Sequence, residues 1–218
     1  MKQMNSMLGQ LTPQTNSITV LRNTYMLLAM TLIFSACSSW LTIGMVMTIP
    51  KLLIGVIAIF SSLFALSYFR NSIAAIPLIF VFTGIMGMFV GPVVGQYLLI
   101  DGGTQIVTFS LLGTAATTIL LSIYAFVSKK DFSSWGGFLF IGLCVILAAM
   151  IINLFLQIPM MSLVISSVCI LVFSGLILYD TSRIIHGGEQ NYVMAAVSLY
   201  LDMLNMFLHM MNIFNFSR

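Results

Sequence analysis

Seven apolar stretches of 18 to 27 residues follow one another almost without pause, at about 20–42, 52–69, 74–100, 106–127, 138–156, 161–185 and 192–214. Each is long enough to cross the ~30 Å hydrocarbon core of a bilayer as a helix. Lipid offers the backbone no hydrogen-bond partners, so stretches of this length must satisfy their own N–H and C=O groups, which an α-helix does. The fold class is therefore an all-α integral membrane protein, a seven-transmembrane-helix bundle. The connections are short and carry turn chemistry, as at Asp101-Gly102-Gly103 and His186-Gly187-Gly188, and none could hold a soluble domain. The chain divides into a polar N-terminal tail, 1–17, and a transmembrane domain, 18–218. The tail lacks the apolar core of a cleavable signal peptide, so the first span is expected to be the targeting signal.

Only 6% of the residues are charged, against about a quarter in a soluble domain. These charges sit scattered at span ends, which excludes a nucleic-acid footprint and makes the lipid bilayer the first partner. Basic residues are retained on the cytoplasmic side. With the N-terminus cytoplasmic, Lys2, Arg22, Arg70, Lys129, Lys130 and Arg183 fall inside, and only Lys51 and Arg218 fall outside. Arg70, Asp180 and Asp202 are then all approached from the cytoplasmic face. Cys37, Cys144 and Cys169 lie in apolar runs without disulfide or metal-type spacing and read as small buried hydrophobes.

Close helix packing is written into two spans. Gly84, Gly87, Gly91 and Gly95 form a small-residue stripe in the third, with Pro92 expected to kink it, and Thr24, Thr31, Ser35 and Ser38 lie along one side of the first. Such residues let helices approach and bond one another. Gly113 to Thr118 give the fourth span a similar start.

The last span carries Ser198, Asp202, Asn205, His209 and Asn212 at steps of four, three, four and three, which places them on one helical stripe. An ionisable residue inside a membrane helix marks an ion pathway, a buried partner, or both. The nearest candidate partner of Asp202 is Asp180, on the preceding span and joined to it by the 186–191 turn, so that the two helices run antiparallel. Paired there, the carboxylates would share a proton and titrate as a unit; ionised, they could bind a hard cation, and protonated, they could hold themselves shut by a hydrogen bond. The competing reading has Asp180 facing water at the interface and Asp202 bonded to another helix. Two aspartates on consecutive helices also suit an intramembrane aspartyl protease. Leu199-Tyr200-Leu201 before Asp202, in place of the Gly-x-Gly of such enzymes, makes that a remote alternative, and the expectation is that the protein is not an enzyme. His186 with Glu189 offers a weak metal pair.

The run Tyr179-Asp180-Thr181-Ser182-Arg183-Ile184-Ile185-His186-Gly187-Gly188-Glu189, with Asn191-Tyr192 and Ser198-Leu199-Tyr200-Leu201-Asp202, closely resembles the C-terminal signature of the Bax inhibitor-1 (TMBIM) family. Leu21-Arg22-Asn23-Thr24-Tyr25, Lys130-Asp131-Phe132-Ser133 and the His-Gly-Gly-Glu turn look most like its bacterial YccA-type branch. The resemblance implies a bundle with the last helix central and ringed by six others, in the bacterial inner membrane, with a pH-sensitive calcium leak. It implies Asp180 and Asp202 as the calcium or proton dyad and Arg70 as the residue that closes the pore, with Ser198, Asn205 and His209 lining the seam. No cofactor is implied beyond calcium as a permeant or bound ion. For YccA-type members it implies a further role, association with a membrane-anchored ATP-dependent protease whose attack on membrane proteins they restrain.

Overall fold

The computed structural model describes residues 2–128 and 130–217, with side chains from Ser17 onward. The topology assignments for Lys2, Lys129 and Arg218 thus rest on side chains or residues outside that description. Among the described residues seven α-helices follow in order: α1 (Lys2–Trp40), α2 (Ile49–Tyr68), α3 (Ala75–Leu98), α4 (Gly103–Ser128), α5 (Gly136–Leu156), α6 (Pro159–Ile185) and α7 (Tyr192–Phe216). All seven are long and apolar enough to span a membrane. Each coincides with an expected span to within a few residues, except that α1 extends back through the tail as helix. Pro159 begins α6, where its missing N–H costs nothing. The α6–α7 turn closes on Gly187, whose φ of +77° is a left-handed conformation open to glycine at little cost.

The chain forms two compact units. One contains the start of α1 as far as Leu21, Gln105–Gln190, and α7 from Leu201 onward; the other contains Arg22–Thr104 and Asn191–Tyr200.

In the second unit the hydroxyl side of α1 lies on the glycine stripe of α3. A Cβ added at Gly87 would strike the Ser35 carbonyl, and one at Gly91 the Thr42 hydroxyl, so the two backbones could not approach this closely with larger residues. Thr42 uses the proximity, its hydroxyl bonding the Met88 carbonyl at 3.1 Å. Thr31 and Ser38 instead bond carbonyls of their own helix, at Leu28 and Phe34, so only part of the expected hydroxyl glue runs between helices. Tyr200 of α7, fully buried, places its hydroxyl 2.6 Å from Ser35 Oγ and 3.4 Å from the Thr83 carbonyl. Asn191 caps α7, its Oδ1 accepting from the N–H groups of Val193 and Met194, a standard way to satisfy a helix start.

In the first unit, Phe132 N–H donates to Ser182 Oγ at 2.9 Å and fastens the α4–α5 connection to the end of α6. Leu139 of α5 lies over Gly175 of α6. Cys169 is buried, as expected, but Cys37 and Cys144 are exposed on apolar helix surfaces. In a spanning helix such a face meets lipid, which accepts a thiol as readily as a protein core does.

Candidate functional site

The polar stripe of α7 finds its partner on α6. Both helices are in the first unit from Leu201 onward, and the turn between them makes them antiparallel. α6 turns a face inward made of Ser162, Ser166, Cys169, Phe173, Ile177, Asp180 and Ile184, at steps of four, three, four, four, three and four. That face is polar at its two ends and apolar between them.

At one end the Asp180 and Asp202 carboxyl groups face each other within hydrogen-bonding reach. Asp180 is 9% exposed and Asp202 6%. Two carboxyl groups can bond each other only through a proton, so this placement would suit a pair that holds one between them. Asp202 Oδ2 is buried and meets no N–H or O–H donor of another residue type among the described residues.

Beside the pair stands Arg183, whose Nη1 is 3.8 Å from Asp180 Oδ1 and whose Nη2 is 3.5 Å from Glu189 Oε2. Its guanidinium also lies over the Tyr179 ring, 5.4 Å from the centroid. The i,i+3 spacing of Asp180 and Arg183 is legible as a helix pair, whereas its place at a span end marks Arg183 only as a topology signal. Arg70 belongs to the second unit: its side chain is exposed, its carbonyl accepts from Asn191 Nδ2 at 2.6 Å, and its guanidinium pairs with no acid among the described residues. His186 and Glu189 do not converge as a metal pair. His186 Nδ1 donates to the Ser182 carbonyl at 2.9 Å, Glu189 faces Arg183, and among the described residues no three His, Cys, Asp or Glu side chains gather.

At the other end His209 Nδ1 is 3.1 Å from Ser166 Oγ, and Asn212 Nδ2 donates to Ser162 Oγ and Ser166 Oγ at 2.8 Å each. Between the ends Asn205 turns back to the Leu201 carbonyl of its own helix, while Ser198, half-buried and in the second unit, has no side-chain hydrogen bond among the described residues. Of the five stripe residues, Asp202, His209 and Asn212 therefore bond α6. Before Asp202, Leu199 and Tyr200 are both fully buried; the Gly-x-Gly of an intramembrane aspartyl protease would leave the backbone open there.

A family model described as inhibitor of apoptosis-promoting Bax1 matches residues 18–218. The chain is 39% identical over 198 residues to the modulator of FtsH protease YccA of Escherichia coli K12, covering 91% of this chain and 90% of that protein. The same identity and coverage relate it to the inner membrane protein YccA of E. coli O6:H1. It is 41% identical over 195 residues to a membrane protein of Vibrio cholerae, covering 89% of this chain and 87% of that one. A family match over all seven spans, together with relatives aligned along nearly their whole length, makes this chain a member of the Bax inhibitor-1 family.

Proposed function

We propose that this chain is an inner-membrane modulator of a membrane-anchored ATP-dependent protease of the FtsH type. The observation that carries the reading is the 39% identity to a protein named as such a modulator, spread over 90% of that protein's length. Likeness of that extent over nearly all of both chains supports a shared membrane-embedded surface, which a membrane-anchored partner would recognise. The deciding experiment is a pulse-chase of an unstable membrane substrate in cells carrying an FtsH-type protease, with and without this chain. Its presence should lengthen the substrate's half-life. An unchanged half-life at matched protease level and verified insertion would overturn the proposal.

A second reading is favoured by one feature of its own, the buried and mutually facing Asp180 and Asp202. A buried carboxyl pair in a membrane helix is costly, and this one has the chemistry to exchange its proton for a cation. The reading is a calcium or proton leak that opens when the pair changes protonation, with an arginine as counter-charge. Calcium entry into vesicles holding the purified protein, measured across a pH series, tests it. Flux no greater than in protein-free vesicles at every pH would remove it. The two readings are compatible in one molecule and fail separately.

A further inference from the structure

At the end of the α6–α7 seam remote from the aspartates, α5, α6 and α7 line a pocket of about 340 Å³, within the range of sites that hold small organic groups, about 300–1,000 Å³. One wall is apolar, made of Met150, Leu154 and Ile165. The other is polar, made of Asn153, Gln157, Ser162, Ser166, His209 and Asn212. None of these is charged, and among the described residues of the first unit no Asp, Glu, Lys or Arg stands at this end of the bundle.

The hydrogen bonds already made decide what the polar wall has left. Asn212 Nδ2 donates to Ser162 Oγ and Ser166 Oγ, so each hydroxyl keeps its own hydrogen. For the Ser166 hydrogen the acceptor among the described residues is His209 Nδ1 at 3.1 Å, which makes the ring the neutral tautomer with its proton on Nε2. Asn153 Oδ1 accepts from the Ile158 N–H at 3.1 Å and leaves Nδ2 to donate. The Gln157 amide has no hydrogen bond among the described residues. Four donors therefore remain, Ser162 O–H, His209 Nε2–H, Asn153 Nδ2 and Gln157 Nε2, against the carbonyl oxygens of Asn212 and Gln157. A surplus of donors without any charge suits a ligand rich in uncharged acceptors.

Depth narrows the choice. α6 has 27 residues, about 40 Å at 1.5 Å per residue, and so passes the ~30 Å hydrocarbon core by about 5 Å at each end. Ser162 lies three residues inside the start of α6 and Asn212 four inside the end of α7, which puts both at the hydrocarbon boundary. The lipid groups at that boundary are the ester carbonyls that join acyl chains to glycerol: two acceptors, no donor and no charge. Leu154, 71% exposed, carries the apolar wall onto the lipid-facing surface of α5, where an acyl chain can lie.

We infer that this pocket binds one membrane lipid through its glycerol diester, the ester carbonyls accepting from the polar wall and an acyl chain lying over Leu154. The head group contributes little, since no charged side chain stands there to read it. Such a site depends on neither the aspartate pair nor a protease partner. The test is native mass spectrometry of the full chain in detergent, titrated with an equimolar mixture of a diester phosphatidylcholine and its dialkyl ether counterpart of matched chains. The ether lacks both carbonyls and keeps everything else. The site predicts one retained lipid with the diester preferred about fivefold, the contribution of a neutral hydrogen bond, and the same preference when both lipids carry a phosphoglycerol head group. Asn153→Asp combined with Gln157→Glu keeps the shape and the bond from the Ile158 N–H, replaces two donors by acceptors, and should leave diester and ether retained alike. Equal retention by the parent overturns the proposal whether or not the variant folds. So does a preference that follows the head group instead of the linkage, which would make the pocket a phosphate or ammonium site. A variant of native helix content that still prefers the diester as the parent does also overturns it, by placing the ester contacts elsewhere.

Discussion

Tyr200 offers the most direct test of what holds α7 in place. Its hydroxyl is 2.6 Å from Ser35 Oγ and 3.4 Å from the Thr83 carbonyl, in surroundings where Tyr200 is 0% and Ser35 7% exposed. Tyr200→Phe keeps the ring and strands the Ser35 hydroxyl, and a buried polar group left without its partner costs about 1–3 kcal/mol. Ser35→Ala removes one bond, but Tyr200 retains the Thr83 carbonyl, so it should cost less. The double variant strands nothing and should cost less than the sum of the two. Interhelical bonds in membrane proteins couple by about 0.6 kcal/mol on average and up to about 1.7, and the short buried geometry here argues for the upper half of that range. The assay is equilibrium unfolding in mixed micelles, with thermal midpoints as a check; 1 kcal/mol corresponds to roughly 2–4 °C for a chain of this size. Additivity within about 0.3 kcal/mol, the spread seen for independent sites, would refute the bond's role.

Two further outcomes follow from the site. Arg183, 3.8 Å from Asp180 with 32% of its side chain exposed, should bias the pair by about 0.2–1 kcal/mol. Arg183→Gln should therefore change calcium flux up to about fivefold, and more than Arg70→Ala does; a larger effect at Arg70 would return the counter-charge to that residue. Asp131, outside the spans, has its carboxyl held below the usual carboxylate range by hydrogen bonds from the Ser133 hydroxyl and N–H. A group whose folded value is depressed stabilises the fold above its unfolded value, and that contribution disappears as pH falls through the folded one. Acidification below about pH 4 should then loosen the α4–α5 connection. Trp135, edge-on to Phe132 at 5.1 Å, reports this by fluorescence in a Trp40→Phe background. An identical pH profile in Asp131→Ala would refute it.

The spans were legible because lipid imposes a length and an apolar composition that a sequence displays directly. The stripe on α7 was legible for a similar reason: helical spacing is a local property, and five polar residues on one face require a polar neighbour. Its partner was only half legible. Asp180 stood out as a charge, but Ser162 and Ser166 are ordinary residues at a span start, and nothing local marks them as the partners of Asn212 and His209. Likewise the glycine stripe and the hydroxyl stripe could each be read, while their contact depends on tertiary packing that neither span encodes alone. The packing role of Tyr200 is not legible locally, because a tyrosine in an apolar run looks like bulk until its hydroxyl finds a partner. Arg183 was assigned to topology since a basic residue at a span end satisfies that rule whether or not it also faces an acid.

The seam's two ends call for different explanations. At the far end, the serine, histidine and asparagine bonds hold α6 to α7, and packing alone is reason enough for them. The Asp180–Asp202 pair is another matter. A buried ionisable pair replaced by neutral groups of similar shape is often neutral or stabilising, and asparagine would permit a hydrogen bond without a shared proton. Protease modulation needs a surface that the partner recognises, and a buried carboxyl pair contributes nothing to one. The double variant Asp180→Asn with Asp202→Asn should therefore insert normally and unfold at the same temperature or slightly above the parent. It should lengthen the half-life of the membrane substrate as the parent does, and lose any pH response of calcium flux. Loss of the half-life effect at normal insertion would show that the modulating role works through the pair itself, and the two activities would then have to be treated as one.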